Sequence, residues 1–160
     1  MNRIRSVAKP VLAVYCLGLV MLLTGAAQAQ SVRVEAQLIW ATNDPISPNP
    51  KLRPVEPDLA RRFVNGPFRW KYYFEVNRQL VQMVVGETKA KIVMSEHCVL
   101  DMKNVGAYRV EVKLFGDGKP VYQHSGSLAN NHMFVLSGDA GNKTAWFVTV
   151  RQPAAPVAGK

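Results

Sequence analysis

The feature that most constrains the fold is a period-two alternation of apolar and polar residues that recurs along the chain. It is cleanest in AYRVEVKLF, residues 107–115, where one face would carry Tyr108, Val110, Val112 and Leu114. Alternation with this period is typical of strands that bury one face. Turn residues separate the segments. Residues 69–76 and 80–85 are predicted to form two separate strands. About nine such short strands predict an all-β fold, a small single-domain antiparallel β-sandwich.

One short segment departs from this pattern and predicts a helix. In DLARRFVNG, Leu59 and Phe63 lie four residues apart and would share one helical face. Asp58 could cap the first free amides, and Gly66 could end the helix. A helix of about two turns needs packing against the rest of the domain to be stable.

The N-terminus has the pattern of a cleaved signal peptide, residues 1–29. A basic start, MNRIRSVAK, precedes an apolar run of about fourteen residues, PVLAVYCLGLVMLL. Ala27-Gln28-Ala29 is an A-x-A site, so cleavage is expected before Gln30. An uncleaved anchor is the competing interpretation, but a bilayer span needs about 20 apolar residues. Lipidation at Cys16 is disfavoured because the bulky Tyr15 precedes it.

Removal of residues 1–29 from the 160-residue chain leaves 131 residues, enough for one domain with a proper core. The formal charge falls from +9 to +6, because the removed part holds three basic residues and no acid. We expect a β-sandwich over 30–151 and a disordered Pro/Ala-rich tail over 152–160. The expected location is the periplasm or the outside of the cell, with no integral membrane segment after cleavage.

Cys98 is the one cysteine that remains after the predicted cleavage. A single cysteine cannot form an internal disulfide, so the core must supply the stability. Cys98 is either a buried small apolar residue or a thiol that pairs between chains. Burial is the commoner fate of a free cysteine and is the prediction made for Cys98.

The segment GPFRWKYYFEVNR, residues 66–78, is rich in aromatic and basic residues. On a strand, its large apolar side chains would share one face and its polar side chains the other. Nucleic-acid platforms instead expose aromatic residues beside basic ones. Only Tyr73 meets that description, so the segment predicts a core strand, no nucleic-acid binding, and Tyr73 as a candidate binding residue on the solvent face.

Two loops are candidate contact surfaces. The first is the proline-rich connection 42–57, and the second is GDAGNK, residues 138–143. The second loop suggests Asp139, Asn142 and Lys143 as candidate binding residues. It resembles a phosphate-binding loop only superficially, because Asn142 replaces the required glycine and a strand follows instead of a helix.

No pattern of metal ligands stands out, and no cofactor is expected. The chain has no H-x-H, M-x-x-M or C-x-x-C motif among its histidines, methionines and cysteines. His97 and Cys98 are neighbours on a predicted strand and would point to opposite faces. Met94 and Met102 fall in register with core faces, which predicts that both fill the core.

No catalytic pattern stands out either. HSGSL places Ser125 and Ser127 near His124, but it lacks the G-x-S-x-G sequence and the strand–turn–helix context of a nucleophile elbow. A catalytic Ser/His/Asp triad whose members are distant in sequence remains an alternative. A cleft that contains His124 or His132 would favour it.

The sequence therefore predicts an exported, non-catalytic β-sandwich module, a binding or assembly component of the bacterial cell envelope. Its expected partner is an envelope protein or an anionic envelope polymer, met through a loop or an uncovered edge strand. The alternatives are a small hydrolase of an envelope polymer and a carrier of a metal or small ligand.

Overall fold

The computed structural model describes residues 31–47, 49–140 and 142–153. The predicted signal peptide and residues 154–160 of the predicted tail lie outside these. Within the described residues, nine strands form two antiparallel sheets, which confirms the predicted all-β sandwich. None of the helices in this part of the chain is long and apolar enough to cross a membrane.

The strand order is 2-3-1-9-8 in a five-stranded sheet and 4-5-6-7 in a four-stranded sheet. The first sheet contains β1 (Ser31–Thr42), β2 (Arg53–Pro54), β3 (Tyr72–Val84), β8 (Met133–Asp139) and β9 (Ala145–Arg151). The second contains β4 (Thr88–Ser95), β5 (Cys98–Gly106), β6 (Arg109–Gly116) and β7 (Lys119–Ser127). The remaining elements are one α-helix, α1 (Pro57–Val64), and a 3-10 turn, Ala129–Asn131.

Two apolar cores lie on opposite faces of the five-stranded sheet. The first core lies between the sheets and includes Val34 and Leu38 of β1 with Leu100, Val112 and Leu114 of the other sheet. The second core lies under α1 and contains Ile39, Ala41, Val55, Leu59, Phe63, Tyr73, Ala145 and Phe147. Because both faces of this sheet are covered, its central strands do not alternate between buried and exposed.

Helix α1 confirms the predicted position but not the predicted cap. Leu59 and Phe63 are fully buried in the second core, as their spacing indicates. The helix begins two residues earlier than a cap at Asp58 predicts, with Pro57 at its first position, where the missing N–H of proline costs nothing. Asp58 is therefore inside the helix, where it pairs with Arg61 instead of capping.

The two strands predicted over 69–76 and 80–85 are in fact one. Strand β3 is continuous because β1 pairs with it from Ser31↔Val84 to Thr42↔Tyr72. The pairing skips Val76, which forms a bulge. A bulge changes which side chains face the core, and this is where the simple alternation fails.

The predicted exposure of Tyr73 to solvent is wrong. Its side chain is 4% exposed and its ring stacks on Phe63, with the ring centroids 4.7 Å apart. Tyr73 points away from the second sheet, as predicted, but α1 covers that face instead of solvent. Its neighbour Phe74 is buried on the inner face, 5.8 Å from the ring of Trp40.

Several predicted core residues are confirmed. Met94 and Met102 are about 1% exposed, and Cys98 is buried. In β6, Val110, Val112 and Leu114 are buried, whereas Tyr108 is exposed in the turn before the strand.

Candidate functional site

Two hairpin turns meet at one end of the four-stranded sheet. Glu96 and His97 join β4 to β5, and Asp117 and Gly118 join β6 to β7. Both central residues of the second turn have positive φ, 49° and 75°, as in the tight turns that match strand twist. The turns are adjacent because Cys98, after the first, pairs with Gly116, before the second.

The two turns are held together by two hydrogen bonds. The backbone N–H of Asp117 donates to the carbonyl of His97 at 3.1 Å. The Nδ1 atom of His97 lies 2.7 Å from Oδ1 of Asp117. This contact raises the pKa of His97, because the Asp117 carboxylate stabilises the protonated ring by a hydrogen bond and by its charge.

A pocket of about 370 Å³ opens between the sheets beside these turns. We call it the turn-end pocket. Its volume lies in the range of small-ligand sites, and most of its lining is apolar. The lining residues are Leu38, Ser95, His97, Cys98, Leu114, Phe115, Gly116, Asp117, Val121 and Trp146.

One wall of the turn-end pocket is the ring of Trp146. Trp146 pairs with Gly138 across β9 and β8, and its ring lies over that glycine. A Cβ atom at position 138 would stand 2.2 Å from Cζ2 of the ring. Gly138 therefore lets the indole lie flat against the sheet, and any larger residue would push the ring away.

Cys98 contributes an apolar surface to the pocket, not a reactive thiolate. Its side chain is buried, and burial raises the pKa of the thiol to about 11. At neutral pH the sulfur is therefore protonated and is a weak nucleophile.

The mouth of the pocket is polar. The side chains of His97 and Asp117 are 75% and 77% exposed. The Ser95 hydroxyl accepts a hydrogen bond from the backbone N–H of His97 at 3.3 Å. The pocket can therefore take an apolar group and leave a polar part of the ligand at the surface.

Sequence reasoning misplaced His97, which lines this pocket, because it placed the residue within a strand. His97 is in a turn and Cys98 begins the next strand, so the two line one pocket instead of facing opposite sides. The signal was present: Glu96 and His97 are two polar residues between two alternating segments, which is the spacing of a tight hairpin.

The predicted loop residues lie elsewhere. Asn142 and Lys143 are exposed in the connection between β8 and β9, which confirms a hairpin loop instead of a phosphate-binding loop. Oδ1 of Asn142 accepts hydrogen bonds from Thr144, and the carbonyl of Lys143 accepts one from Nε1 of Trp70 at 3.3 Å. Asp139 pairs through its backbone with Ala145 in the same hairpin.

The other two histidines do not line the turn-end pocket. His124 packs edge-on against Phe134, with ring centroids 4.7 Å apart, and His132 is exposed after the 3-10 turn. Across 31–47, 49–140 and 142–153, no three His, Cys, Asp or Glu side chains come together in a way that could hold a metal ion.

A second polar feature lies on the outer face of the five-stranded sheet, beside the start of α1. Arg78 pairs with Glu56 and Glu75, and Nε of Arg151 donates to Glu35 at 2.7 Å. We call this group the outer-face cluster; its members are Glu35, Gln37, Glu56, Glu75, Arg78 and Arg151.

The outer-face cluster ties α1 to the sheet. Glu56 immediately precedes α1 and receives hydrogen bonds from Arg78 and Gln37. Burial raises the pKa of Glu56, but these hydrogen bonds and the charges of Arg78 and Arg151 outweigh it and hold the pKa below its ordinary value. The cluster therefore has a structural role that its geometry explains, and the turn-end pocket is the better candidate for binding.

No protein-family model, curated protein or solved structure matches this chain. The function is therefore inferred from the chemistry of the described residues. Among them, the turn-end pocket combines a ligand-sized volume with apolar walls and a polar mouth.

Proposed function

We propose that the protein is an exported, non-catalytic binding module of the bacterial cell envelope, which holds an apolar group of its partner in the turn-end pocket. The basic start, apolar run and A-x-A site of residues 1–29 support export. The pocket between the sheets is the observation that carries the binding role.

The walls of the pocket favour an apolar ligand group. Leu38, Leu114 and Trp146 line the cavity from both sheets. Each 100 Å² of apolar surface that a ligand buries there would contribute about 2.5 kcal/mol. The protonated thiol of Cys98 adds to the apolar lining, whereas Ser95 and His97 can orient a polar end at the mouth.

The partner we favour is an envelope protein or an anionic envelope polymer that carries an apolar group. The formal charge of +6 expected after cleavage would attract a polyanion over a distance set by the ionic strength. A carrier of a small free ligand would use the same pocket and is the closest alternative.

The proposal is tested by filling the pocket. Val121 lies on its rim and is 57% exposed, so Val121→Trp should block the cavity without disturbing the core. Val93→Trp is the matched control, because Val93 is 56% exposed but lies away from the pocket. The probe is anilinonaphthalene sulfonate, which pairs an apolar body with an anionic end, and the readout is its fluorescence on titration.

We expect saturable binding of one probe molecule by the wild type and by Val93→Trp, and at least tenfold weaker binding by Val121→Trp. Equal binding by all three proteins would place the site elsewhere, and no saturable binding by the wild type would remove the pocket from the proposal. Native mass spectrometry of protein recovered from its own envelope would then report the mass of any retained ligand.

A hydrolase is the second candidate, and one observation favours it. Ser95, His97 and Asp117 share the mouth of the pocket, and Asp117 contacts His97 in the manner of an orienting carboxylate. Against it, the His97 and Asp117 side chains are largely exposed, and the Ser95 hydroxyl is engaged by the local backbone. Turnover of a nitrophenyl ester that is lost in His97→Gln would favour the hydrolase over the binding module.

A further inference from the structure

Aromatic side chains form a row across the strands at one end of the five-stranded sheet. Trp40 of β1 pairs with Phe74 of β3 and with Trp146 of β9. Trp146 in turn pairs with Gly138 of β8. Paired residues share a face of the sheet, and Trp146 packs against the core between the sheets, so the row lies on the inner face.

Trp146 presents a flat aromatic surface to the turn-end pocket. One face of its indole lies on Gly138, where a Cβ atom would stand 2.2 Å from the ring. In the part of the chain that the structure describes, no aromatic ring packs on the indole of Trp146, whereas the ring of Trp40 is 5.8 Å from that of Phe74. The indole face opposite Gly138 therefore lines the cavity.

A flat indole face is well matched to the apolar face of a sugar ring. A pyranose carries several C–H bonds on one face, and the attached oxygens make their hydrogens slightly positive. The face of an aromatic ring is slightly negative, so the two surfaces attract each other and exclude water. A hydrocarbon chain lacks such polarised C–H bonds and therefore gains less from the indole.

Polar atoms suited to sugar hydroxyls lie at the mouth of the pocket. The contact between His97 and Asp117 uses Nδ1 of the ring and Oδ1 of the carboxylate. Among the described residues, Nε2 of His97 and Oδ2 of Asp117 have no partner, and both side chains are largely exposed. A hydroxyl group both donates and accepts hydrogen bonds, so neighbouring hydroxyls of one sugar ring can bind both atoms.

The remaining apolar walls call for a methyl group besides the sugar ring. Leu38, Cys98 and Leu114 line the cavity, and they offer no hydrogen bond to a hydroxyl group. The methyl group of an acetamido substituent would cover them at no such cost. The volume of about 370 Å³ is near the lower end of the range for ligand sites, which suits one sugar unit of a longer chain.

Building on the binding role proposed for the turn-end pocket, we propose that its ligand is an N-acetylated amino sugar, one unit of an envelope glycan. The C–H face of the sugar ring lies on Trp146. Ring hydroxyls bind His97 and Asp117 at the mouth, and the acetamido methyl group contacts Leu38 and Leu114.

Isothermal titration calorimetry with two trisaccharides of the same linkage tests the proposal. Triacetylchitotriose carries an acetamido group on each ring, and cellotriose carries a hydroxyl group at the same position. We expect the protein, purified as its host processes it, to bind triacetylchitotriose saturably and cellotriose at least fivefold more weakly, because cellotriose has no methyl group to bury. Equal binding of the two would overturn the assignment of an N-acetylated sugar.

Gly138→Ala tests the role of the indole without removing it. The added Cβ atom displaces the ring of Trp146, so triacetylchitotriose should bind at least tenfold more weakly. Gly126→Ala is the matched control, because a Cβ atom there would stand 2.9 Å from Cε1 of Phe134, yet Gly126 does not line the pocket. It should disturb a core ring in a similar way and bind the trisaccharide like the wild type.

A second variant tests the mouth of the pocket without touching the core. Asp117 is 77% exposed and has a φ of 49°, which glycine adopts without strain. Asp117→Gly should therefore fold and bind triacetylchitotriose at least threefold more weakly, because it removes a hydroxyl partner. Glu96→Gly is its control, since Glu96 is exposed in the adjacent turn and does not line the pocket.

The outcomes separate this ligand from the binding role itself. Saturable binding that neither Gly138→Ala nor Asp117→Gly weakens would overturn the proposal, because the sugar would then bind elsewhere. Binding of anilinonaphthalene sulfonate but of neither trisaccharide would overturn the sugar as ligand and leave the pocket as a binding site. Failure of all three to bind would overturn both proposals.

Discussion

At the scale of single residues, Tyr73 places a phenol in the core beneath α1. Its ring contacts Phe63 and Phe147, and burial raises the pKa of its hydroxyl. Among the described residues, the hydroxyl has no hydrogen-bond partner. A buried polar atom without a partner costs about 1–3 kcal/mol of stability, so the ring stabilises this core while its oxygen opposes it.

Tyr73→Phe should therefore raise the free energy of unfolding by about 1 kcal/mol, because it removes the unpaired oxygen and keeps the stacked ring. Tyr72→Phe is the control: Tyr72 is 38% exposed, so water satisfies its hydroxyl and stability should not change. Urea unfolding of the two variants beside the wild type measures both values. A loss of stability in Tyr73→Phe would mean that the hydroxyl is satisfied in solution.

The orientation of Tyr73 also shows how far alternation can be used. The pattern correctly separates Tyr73 from Phe74 onto opposite faces of β3. It cannot say which face is covered, and here both are: Tyr73 is 4% exposed and Phe74 is 6% exposed. The helix that covers Tyr73 packs on it only through the tertiary fold, so the alternation within β3 does not report the contact.

At the scale of elements, α1 is docked by two kinds of contact. Leu59 and Phe63 bury its apolar face, which the sequence predicts from their spacing. Arg78 and Arg151 bind Glu56 just before the helix, which the sequence does not predict, because the three residues come together only through the pairing of β3, β1 and β9.

The contacts of Glu56 make part of the stability dependent on pH. Its pKa is lower in the folded protein than its ordinary value of 4.5, so the unfolded chain binds the proton more tightly. The stabilisation is therefore present above about pH 4.5 and is lost as the pH falls through the lower, folded pKa. Because the side chain is 38% exposed, solvent limits the effect to about 1 kcal/mol or less.

Glu56→Gln should lower the free energy of unfolding at neutral pH by this amount and make no difference in strong acid. Chemical denaturation of both proteins from pH 7 to pH 3 measures the difference. Asp58→Asn is the control at the same helix, because its pair with Arg61 is exposed and contributes little. If wild type and Glu56→Gln differ in free energy of unfolding by the same amount at every pH, the carboxylate charge of Glu56 is not the source of the stabilisation.

The turn-end pocket lies beyond the reach of such local patterns for the same physical reason. Leu38, Cys98 and Trp146 come from β1, β5 and β9, and only the packing of two sheets brings them to one cavity. The alternation in each strand predicts that these residues face inward. It does not predict that the sheets leave space between them, because that depends on the lengths and twist of both sheets.

At the scale of the whole molecule, the proposed function depends on export of a domain that is complete without disulfides. The described residues contain no cysteine besides Cys98, so they form no disulfide, and the described fold relies on its two apolar cores. The described strands begin at Ser31, directly after the predicted cleavage site before Gln30. Cleavage there would leave β1 intact, and it would remove three basic residues and no acid.

The chain recovered from its host should therefore have the mass of residues 30–160, which intact mass spectrometry of the envelope fraction measures. Gln30 at the new N-terminus can cyclise with loss of ammonia, so either of these two masses agrees with the prediction. A mass that retains residues 1–29 would mean a membrane anchor. The +6 charge of residues 30–160 would then act at a bilayer surface. A mass that includes a lipid on Cys16 would contradict cleavage before Gln30. In either case the turn-end pocket would keep its geometry, but its partner would have to lie within reach of the membrane.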